Sequence, residues 1–311
     1  MLTAAGTQNK CVLIIMATAR IVGPKDVVSA LPLRNLHSSK KDNGRVLIIG
    51  GSDLFHGAPI LASTAAYNTL GALRVGAGYA ITCVPKNIVE SVRELSPNII
   101  VRPLSGRIIS PHDFATLSKE AKKADAIVIG IGIGREKWSL MTIAKLISYA
   151  AKLGKFIVID ADAIDSLRFM DNRLNKNVVL TPNKNEFSLL HKGDVGSSEK
   201  DIYDAVLAAS KKFGANILLK GHRTVISDGI MIKVVNAKSA ALATMGSGDV
   251  LSGIIGGFMA LSKDAFGSAL AGAYLHATIG DALHRKMGDH ILASDIIDQI
   301  PSTLRKFSRY R

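Results

Sequence analysis

Cysteine is nearly absent from this chain of 311 residues. Its two copies, Cys11 and Cys83, offer neither a disulfide framework nor metal-ligand spacing. Each reads as a buried or incidental thiol. Aromatic residues make up only 5%, too few to stack along a single-stranded nucleic acid. No apolar run approaches the roughly 20 residues of a transmembrane helix. The Cys11–Ala17 run follows Lys10 but is too short and too weakly flanked for a secretory signal, and Met16 offers an alternative start. A cytoplasmic protein without membrane contact is expected. Acidic residues are also outnumbered, 25 against 39 basic, for a net charge of +14. The basic residues are scattered, with small clusters at Lys40-Lys41, Lys122-Lys123, Lys211-Lys212 and the Arg305–Arg311 tail. That argues against a nucleic-acid surface and suits a small anionic ligand.

What is present fits a globular protein with a sizeable core, 48% hydrophobic and 21% charged. Residues 1–43 are expected to be irregular, because Pro24, Pro32 and the Ser38–Gly44 stretch interrupt any long element. From residue 44 to 311 the pattern is one domain with no repeat and no linker. Short β-branched runs read as buried strands: Arg45–Ile49, Tyr79–Val84, Ala124–Ile129, Phe156–Ile159, Val178–Leu180 and Asn216–Lys220. Helical stretches lie between them, at Ala58–Leu73, Glu136–Leu153 and Asp201–Phe213, and Gly76-Ala77-Gly78 stops the first. Asp228-Gly229 reads as a hairpin turn. Helices follow from the Gly246 loop to Leu261, from about Ala265 to Leu283, and at Asp295–Ser308. Strands alternating with helices imply an α/β fold, a mostly parallel central sheet with helices on both faces.

The chain is organised around Ala243-Thr244-Met245-Gly246-Ser247-Gly248-Asp249-Val250-Leu251-Ser252-Gly253. Small residues, an acid and then an apolar run describe a tight loop opening a helix. Helix N-termini carry unpaired N–H groups and partial positive charge, so they attract anions such as phosphate. Gly246 and Gly248 let backbone approach an anion, and Ser247 can cap the helix or donate to an oxygen. Asp249 does not fit simple anion binding, since its charge repels phosphate. As a base it would take a proton from a substrate hydroxyl while the loop stabilises a transferring phosphoryl group. The structural alternative is an acid placed to suit the helix macrodipole.

Other loops follow strand ends, where open α/β sheets bind ligands. Gly50-Gly51-Ser52 leads to Gly57-Ala58 through His56, which could be catalytic, although a loop histidine is more often solvated. Gly130-Ile131-Gly132-Ile133-Gly134-Arg135 does not complete a dinucleotide fingerprint and reads as a glycine turn against a ligand. Asn183 and Glu186 stand three apart at a helix start, where Glu186 could equally close a capping box. Lys220, Gly221, His222, Arg223 and Thr224 form a polar loop able to receive a nucleotide.

With these residues together, the chain resembles the ribokinase-like superfamily, and within it the ADP- or ATP-dependent NAD(P)H-hydrate dehydratases. The likeness runs from about Gly44 to Leu283. It rests on Gly50-Gly51-Ser52 with Gly57-Ala58, Gly76-Ala77-Gly78, the Gly130/Gly132/Gly134 turn, Asp160-Ala161-Asp162-Ala163, Lys220-Gly221 with Thr224, and Gly246-Ser247-Gly248-Asp249. It implies a carbon-oxygen lyase that repairs hydrated nicotinamide dinucleotides (NADHX and NADPHX). ATP or ADP, with Mg2+, phosphorylates the ring hydroxyl, and loss of phosphate restores the double bond. By this likeness Asp249 contacts the substrate hydroxyl as base, and Gly246, Ser247 and Gly248 form the anion hole. Lys220 to Thr224 and Gly248 hold the nucleotide. Ala58, Gly132 and Asn183 line the substrate pocket. The chain departs from the family at Thr181-Pro182-Asn183-Lys184-Asn185-Glu186, where dehydratases usually carry Thr-Pro-His-Pro-Gly-Glu. The N-x-x-E spacing is more like sugar, hydroxymethylpyrimidine and vitamin kinases, in which the Glu organises magnesium through water. A small-molecule kinase is therefore the alternative reading, with Glu186 as the water-mediated metal residue. The residues ahead of the first expected strand are too few for an epimerase domain, so a separate epimerase is implied. The Ala/Gly-rich helices suit a homo-oligomer.

Overall fold

The computed structural model describes residues 19–32, 37, 42–71, 77–95, 98–191 and 195–307. In chain order these form β1 (Arg20–Ile21), α1 (Pro24–Ala30), β2 (Arg45–Ile49), α2 (Gly57–Gly71), β3 (Tyr79–Val84), α3 (Val89–Leu95) and β4 (Ile100–Pro103). Next come α4 (Phe114–Lys123), β5 (Ala126–Ile129), α5 (Lys137–Lys152), β6 (Phe156–Ile159), α6 (Asp162–Ser166), β7 (Val178–Leu180) and α7 (Lys184–His191). The chain ends with α8 (Glu199–Phe213), β8 (Asn216–Leu219), β9 (Arg223–Ser227), β10 (Ile232–Asn236), α9 (Ser247–Ser262), α10 (Ala265–Met287) and α11 (Ala293–Leu304).

One sheet collects these strands in the order β1-β10-β9-β8-β7-β6-β5-β2-β3-β4. It is parallel from β8 through β4, while β9 runs antiparallel to both β8 and β10. The expected α/β architecture is present. Alternate residues of the central strands enter opposite cores, as a pleated strand requires. Leu47, Ile49, Ile127, Ile129, Ile157 and Ile159 pack under α4, α5 and α8. Val46, Ile48, Ala126, Val128 and Val158 face α2, α9 and α10.

The stretch expected to be irregular is partly built. β1 pairs in parallel with β10, and α1 buries Val27 and Ala30 in a core shared with α9, α10 and α11. Pro24, read as a breaker, is instead the first residue of α1. Proline is favoured there because its missing N–H would have no partner in the helix. Asp26 closes the turn by accepting from the Gly23 N–H at 2.8 Å. α3, α4, α6 and β4 have no counterpart in the sequence pattern, whereas β10 is the strand that the Asp228-Gly229 hairpin turn requires. Cys83 is buried, which pushes its thiol up to about 12 and makes it unreactive. Cys11 and Gly76 lie outside the described residues.

Close helix packing explains the small residues of α9. A Cβ on Gly253 would sit 2.3 Å from the Ala62 carbonyl oxygen of α2. One on Gly256 would sit 2.3 Å from Val128 Cγ2 in the sheet. α9 is thus pressed against both a helix and the sheet, which fixes where its N-terminus points.

Candidate active site

Parallel strands deliver their following loops to one edge, and the strand order reverses between β2 and β5. Such switch points open a crevice. The loops after β2 and β5 meet there, with the Gly51 N–H donating to Ile131 O at 2.8 Å. The three glycines of the β5 loop all take positive φ, 112° at Gly130, 67° at Gly132 and 76° at Gly134. A Cβ on Gly132 would stand 2.7 Å from Phe55 Cβ and 3.1 Å from Ala58 Cβ. The expected substrate residues Ala58 and Gly132 are therefore neighbours, beside the partly exposed Phe55. His56 is exposed, as expected.

Next to this crevice lies a cavity of about 510 Å³. Lys220, Gly221, His222, Thr224, Asn183, Gly246, Ser247, Gly248 and Asp249 all line it. Residues up to 66 positions apart in sequence thus converge as expected on one space. Arg223 does not line it. Its guanidinium pairs with Glu199 and lies over the Tyr203 ring, on the side of α8. β9 begins at this residue, and strand alternation sends Arg223 and Thr224 to opposite sides. Ala58 and Gly132 are likewise outside this cavity's wall.

Gly246 caps α9 with φ 85°, and a Cβ there would lie 2.5 Å from Leu61 Cδ1 and 3.1 Å from Ala293 Cβ. The packing of α2 and α11 thus requires glycine at this position, which also lines the cavity. Gly248 faces Lys220, since its Cβ would be 3.2 Å from Lys220 Nζ. The first turn of α9 leaves the N–H groups of Gly248 and Asp249 without helix carbonyls to receive them. Ser247 is not the cap. It is the first helical residue, is buried, and its Oγ lies 3.2 Å from His276 Nε2 of α10.

Also on the cavity wall, Asp160 is 1% exposed at the end of β6. Its Oδ1 accepts from Lys220 Nζ at 2.7 Å and from the Ala161 N–H at 2.8 Å. Its Oδ2 accepts from Ser252 Oγ at 2.5 Å. Ala161 takes φ 50°, a strained value for a side-chain-bearing residue. Burial alone would lower the Lys220 ammonium, yet Asp160, Glu186 and Asp249 together carry it above its ordinary value. Lys220 is therefore a cation held at the cavity, over the start of α9.

Asp249 is half-buried and its carboxyl ionises at about 7 instead of 3.8. Burial is the main cause, reinforced by Asp160, Asp162 and Glu186 and opposed by Lys220. A carboxylate that binds a proton near neutrality is suited to general-base work. Asp162 links this centre to the glycine turn by accepting from the Gly134 N–H at 3.0 Å. Glu186 forms the capping box considered in the sequence: its Oε2 accepts from the Asn183 N–H, and Asn183 Oδ1 accepts from the Glu186 N–H, both at 2.9 Å. Burial also raises its carboxyl, against the effect of Lys220 and of the Asn183 backbone bond.

The sequence pattern gives His276, Asp160 and Ser252 no individual role in the site. Asp160 stood in a motif, but nothing local marks the other two. His276 is one polar residue within an Ala/Gly-rich helix, and Ser252 lies one turn into α9.

Comparisons with known proteins identify the family and the fold. A profile of the family described as NAD(P)H-hydrate dehydratase matches residues 46–302. An ADP-dependent (S)-NAD(P)H-hydrate dehydratase of Nitrosopumilus maritimus is 34% identical over 282 residues, covering 90% of this chain and 94% of that protein. A bifunctional NAD(P)H-hydrate repair enzyme of Pyrobaculum aerophilum is 34% identical over 289 residues, 93% of this chain but 56% of that protein. The chain thus spans about half the length of the bifunctional relatives it matches. Among solved structures, a ribokinase-like superfamily protein of Enterococcus faecalis superposes with a TM-score of 0.81 at 26% identity, covering 93% of this chain and 96% of that one. The fold is ribokinase-like, and the chain belongs to the NAD(P)H-hydrate dehydratase family.

Proposed function

We propose that this protein dehydrates the hydrated nicotinamide dinucleotides NADHX and NADPHX, using ADP or ATP as phosphoryl donor. The observation that carries the reading is Asp249: an acid ionising at about 7 in the first turn of a helix, beside Lys220 and a cavity of nucleotide size. The nucleotide occupies the cavity, with Lys220, Gly221, His222 and Thr224 along it and Gly248 under its phosphates. The hydrated ring lies in the adjoining crevice near Ala58, Gly132 and Asn183. Asp249 takes the proton from the ring hydroxyl as the oxygen attacks the terminal phosphorus and the bridging P–O bond breaks, releasing AMP from ADP or ADP from ATP. The charge that develops is met by Lys220 and the N–H groups at the start of α9. The ring nitrogen's lone pair then expels phosphate, and loss of a proton from the neighbouring carbon restores the double bond.

Among the described residues no group of three or more His, Cys, Asp or Glu could hold a metal by itself. Magnesium fits as a hydrated ion shared with the phosphates, a mode it favours. Glu186, its carboxyl raised by burial, would reach that ion through water. The bound ion would neutralise phosphate charge. An epimerase acting in the same repair belongs to this reading, and the word bifunctional in the longer relatives' names supports it.

The test is the absorbance of reduced nicotinamide after mixing the protein with NADH hydrate, magnesium, and ADP or ATP. A rise that depends on one nucleotide supports the reading and identifies the donor. No rise, together with nucleotide binding and a stable phosphorylated product from a hydroxymethylpyrimidine, vitamin or sugar, replaces it with a small-molecule kinase.

A further inference from the structure

We propose that His276 is a positioning residue for the anion site: its Nε2–H donates to Ser247 Oγ and so turns the Ser247 hydroxyl proton toward the transferring phosphoryl group. The inference rests on the phosphoryl-transfer reading of the site and adds to it a residue outside the Gly246–Asp249 loop.

Three observations carry it. Ser247 and His276 are both buried, 4% and 7% exposed, yet both belong to the cavity wall. Their side chains meet at 3.2 Å, so the hydroxyl has a fixed neighbour and does not rotate freely. The helix that carries His276 also fixes the chain leading to Ser247. Asp281 Oδ1 accepts from the Lys238 N–H at 2.9 Å, and Leu242 packs where a Cβ on Gly280 would stand 2.5 Å from its Cγ. One helix thus holds both the strap over the cavity and the first residue of α9.

The direction of the bond follows from what each arrangement does to an anion. A hydroxyl has one proton. If Ser247 gives it to the imidazole, only oxygen lone pairs face the phosphoryl oxygens, at a helix start otherwise rich in donors. If the imidazole donates, the serine proton joins those donors. A cationic imidazole would also donate, but burial, opposed by a hydrogen bond to the Ser247 backbone and aided by the nearby Lys220 charge, pushes His276 down to about 4. The ring is therefore neutral at working pH, and its tautomer decides whether Ser247 helps or hinders. The Ser247–His276 contact favours the Nε2–H form because the alternative places a lone pair against the charge the loop exists to bind.

The experiment uses the intact protein. With histidine labelled by 15N, long-range 1H–15N spectra recorded without nucleotide and with ADP report which ring nitrogen of His276 carries the proton, and His276→Gln assigns the signal. The expected result is Nε2–H in both, and an Nδ1–H ring overturns the proposal. In kinetics, His276→Leu and Ser247→Ala are each expected to lower kcat by about 10- to 100-fold, with nucleotide KM changed less than about threefold, the pattern of a lost transition-state donor. The double variant should be no slower than the slower single one, because both remove the same donor. His276→Gln, which keeps an amide N–H near the Nε2 position, should recover most of the rate. Independent, multiplying losses or a His276→Gln enzyme as slow as His276→Leu would assign His276 to packing alone and overturn the idea. A wild-type protein with no dehydratase activity would instead sink the proposed function, while the spectra still decide the tautomer.

Discussion

Replacing Asp249 by Asn should stabilise this protein as it inactivates it, and the gain should depend on pH. Asp249 ionises at about 7 in the folded chain and near 3.8 when unfolded. Between those values the folded state holds a proton that the unfolded chain has lost, so stability falls as pH rises across the window and levels off above about 7. Asparagine has the same shape and no charge to bury, so the variant escapes that loss. From about pH 5.5 to about pH 8.5 the linkage amounts to about 2 kcal/mol. Partial exposure of the group reduces this to about 1 kcal/mol. For a chain of 311 residues that is a gain of about 1–2 °C in the Tm difference between variant and wild type. Thermal unfolding of both proteins in the two buffers measures it, and subtracting one pair from the other cancels every group the proteins share. Activity of the variant should fall by about 10²- to 10⁴-fold. A Tm difference that stays the same at both pH values, or shrinks at the higher one, would refute the argument that burial and the acids Asp160, Asp162 and Glu186 hold this carboxyl protonated.

Three further outcomes follow from the same geometry. In the wild type, kcat/KM should rise with pH through about 7 as Asp249 becomes a base, and Glu186→Gln should move that rise to lower pH by removing a like charge. A rise at unchanged or higher pH would show that Glu186 does not act on Asp249. Lys220→Met should leave the Asp160 carboxylate buried without its ion pair, costing about 3 kcal/mol, and calorimetric titration should show affinity for ADP or ATP down at least about tenfold. Retained affinity would remove Lys220 from the nucleotide site. Gly253→Ala should cost about 1–3 kcal/mol, because its Cβ would meet backbone of α2 at 2.3 Å rather than a yielding side chain. Unchanged thermal stability would mean that α2 and α9 are not so tightly apposed.

Local pattern was enough for the central strands and the helices between them. Arg45–Ile49, Tyr79–Val84 and Phe156–Ile159 stand as read, because a buried parallel strand needs a short apolar β-branched run and little else produces one. The start of α9 is legible for a similar reason: a tight turn into a helix pressed against its neighbours leaves room only for small residues at Gly246 and Gly253. Pro24 was misread because proline both breaks helices and begins them, and the choice depends on whether a core awaits Val27 and Ala30. Arg223 had the right chemistry and the wrong side of β9, since one step along a strand reverses a side chain. Glu186 could be a cap, a metal residue or a charge acting on Asp249, and only proximity in space shows that it can do the first while acting as the last. The ionisation of Asp249 near neutrality and the partnership of Ser247 with His276 belong wholly to tertiary structure. Both depend on charge and burial contributed by β6, α7, β8 and α10, elements distant in sequence that the parallel sheet brings to one edge.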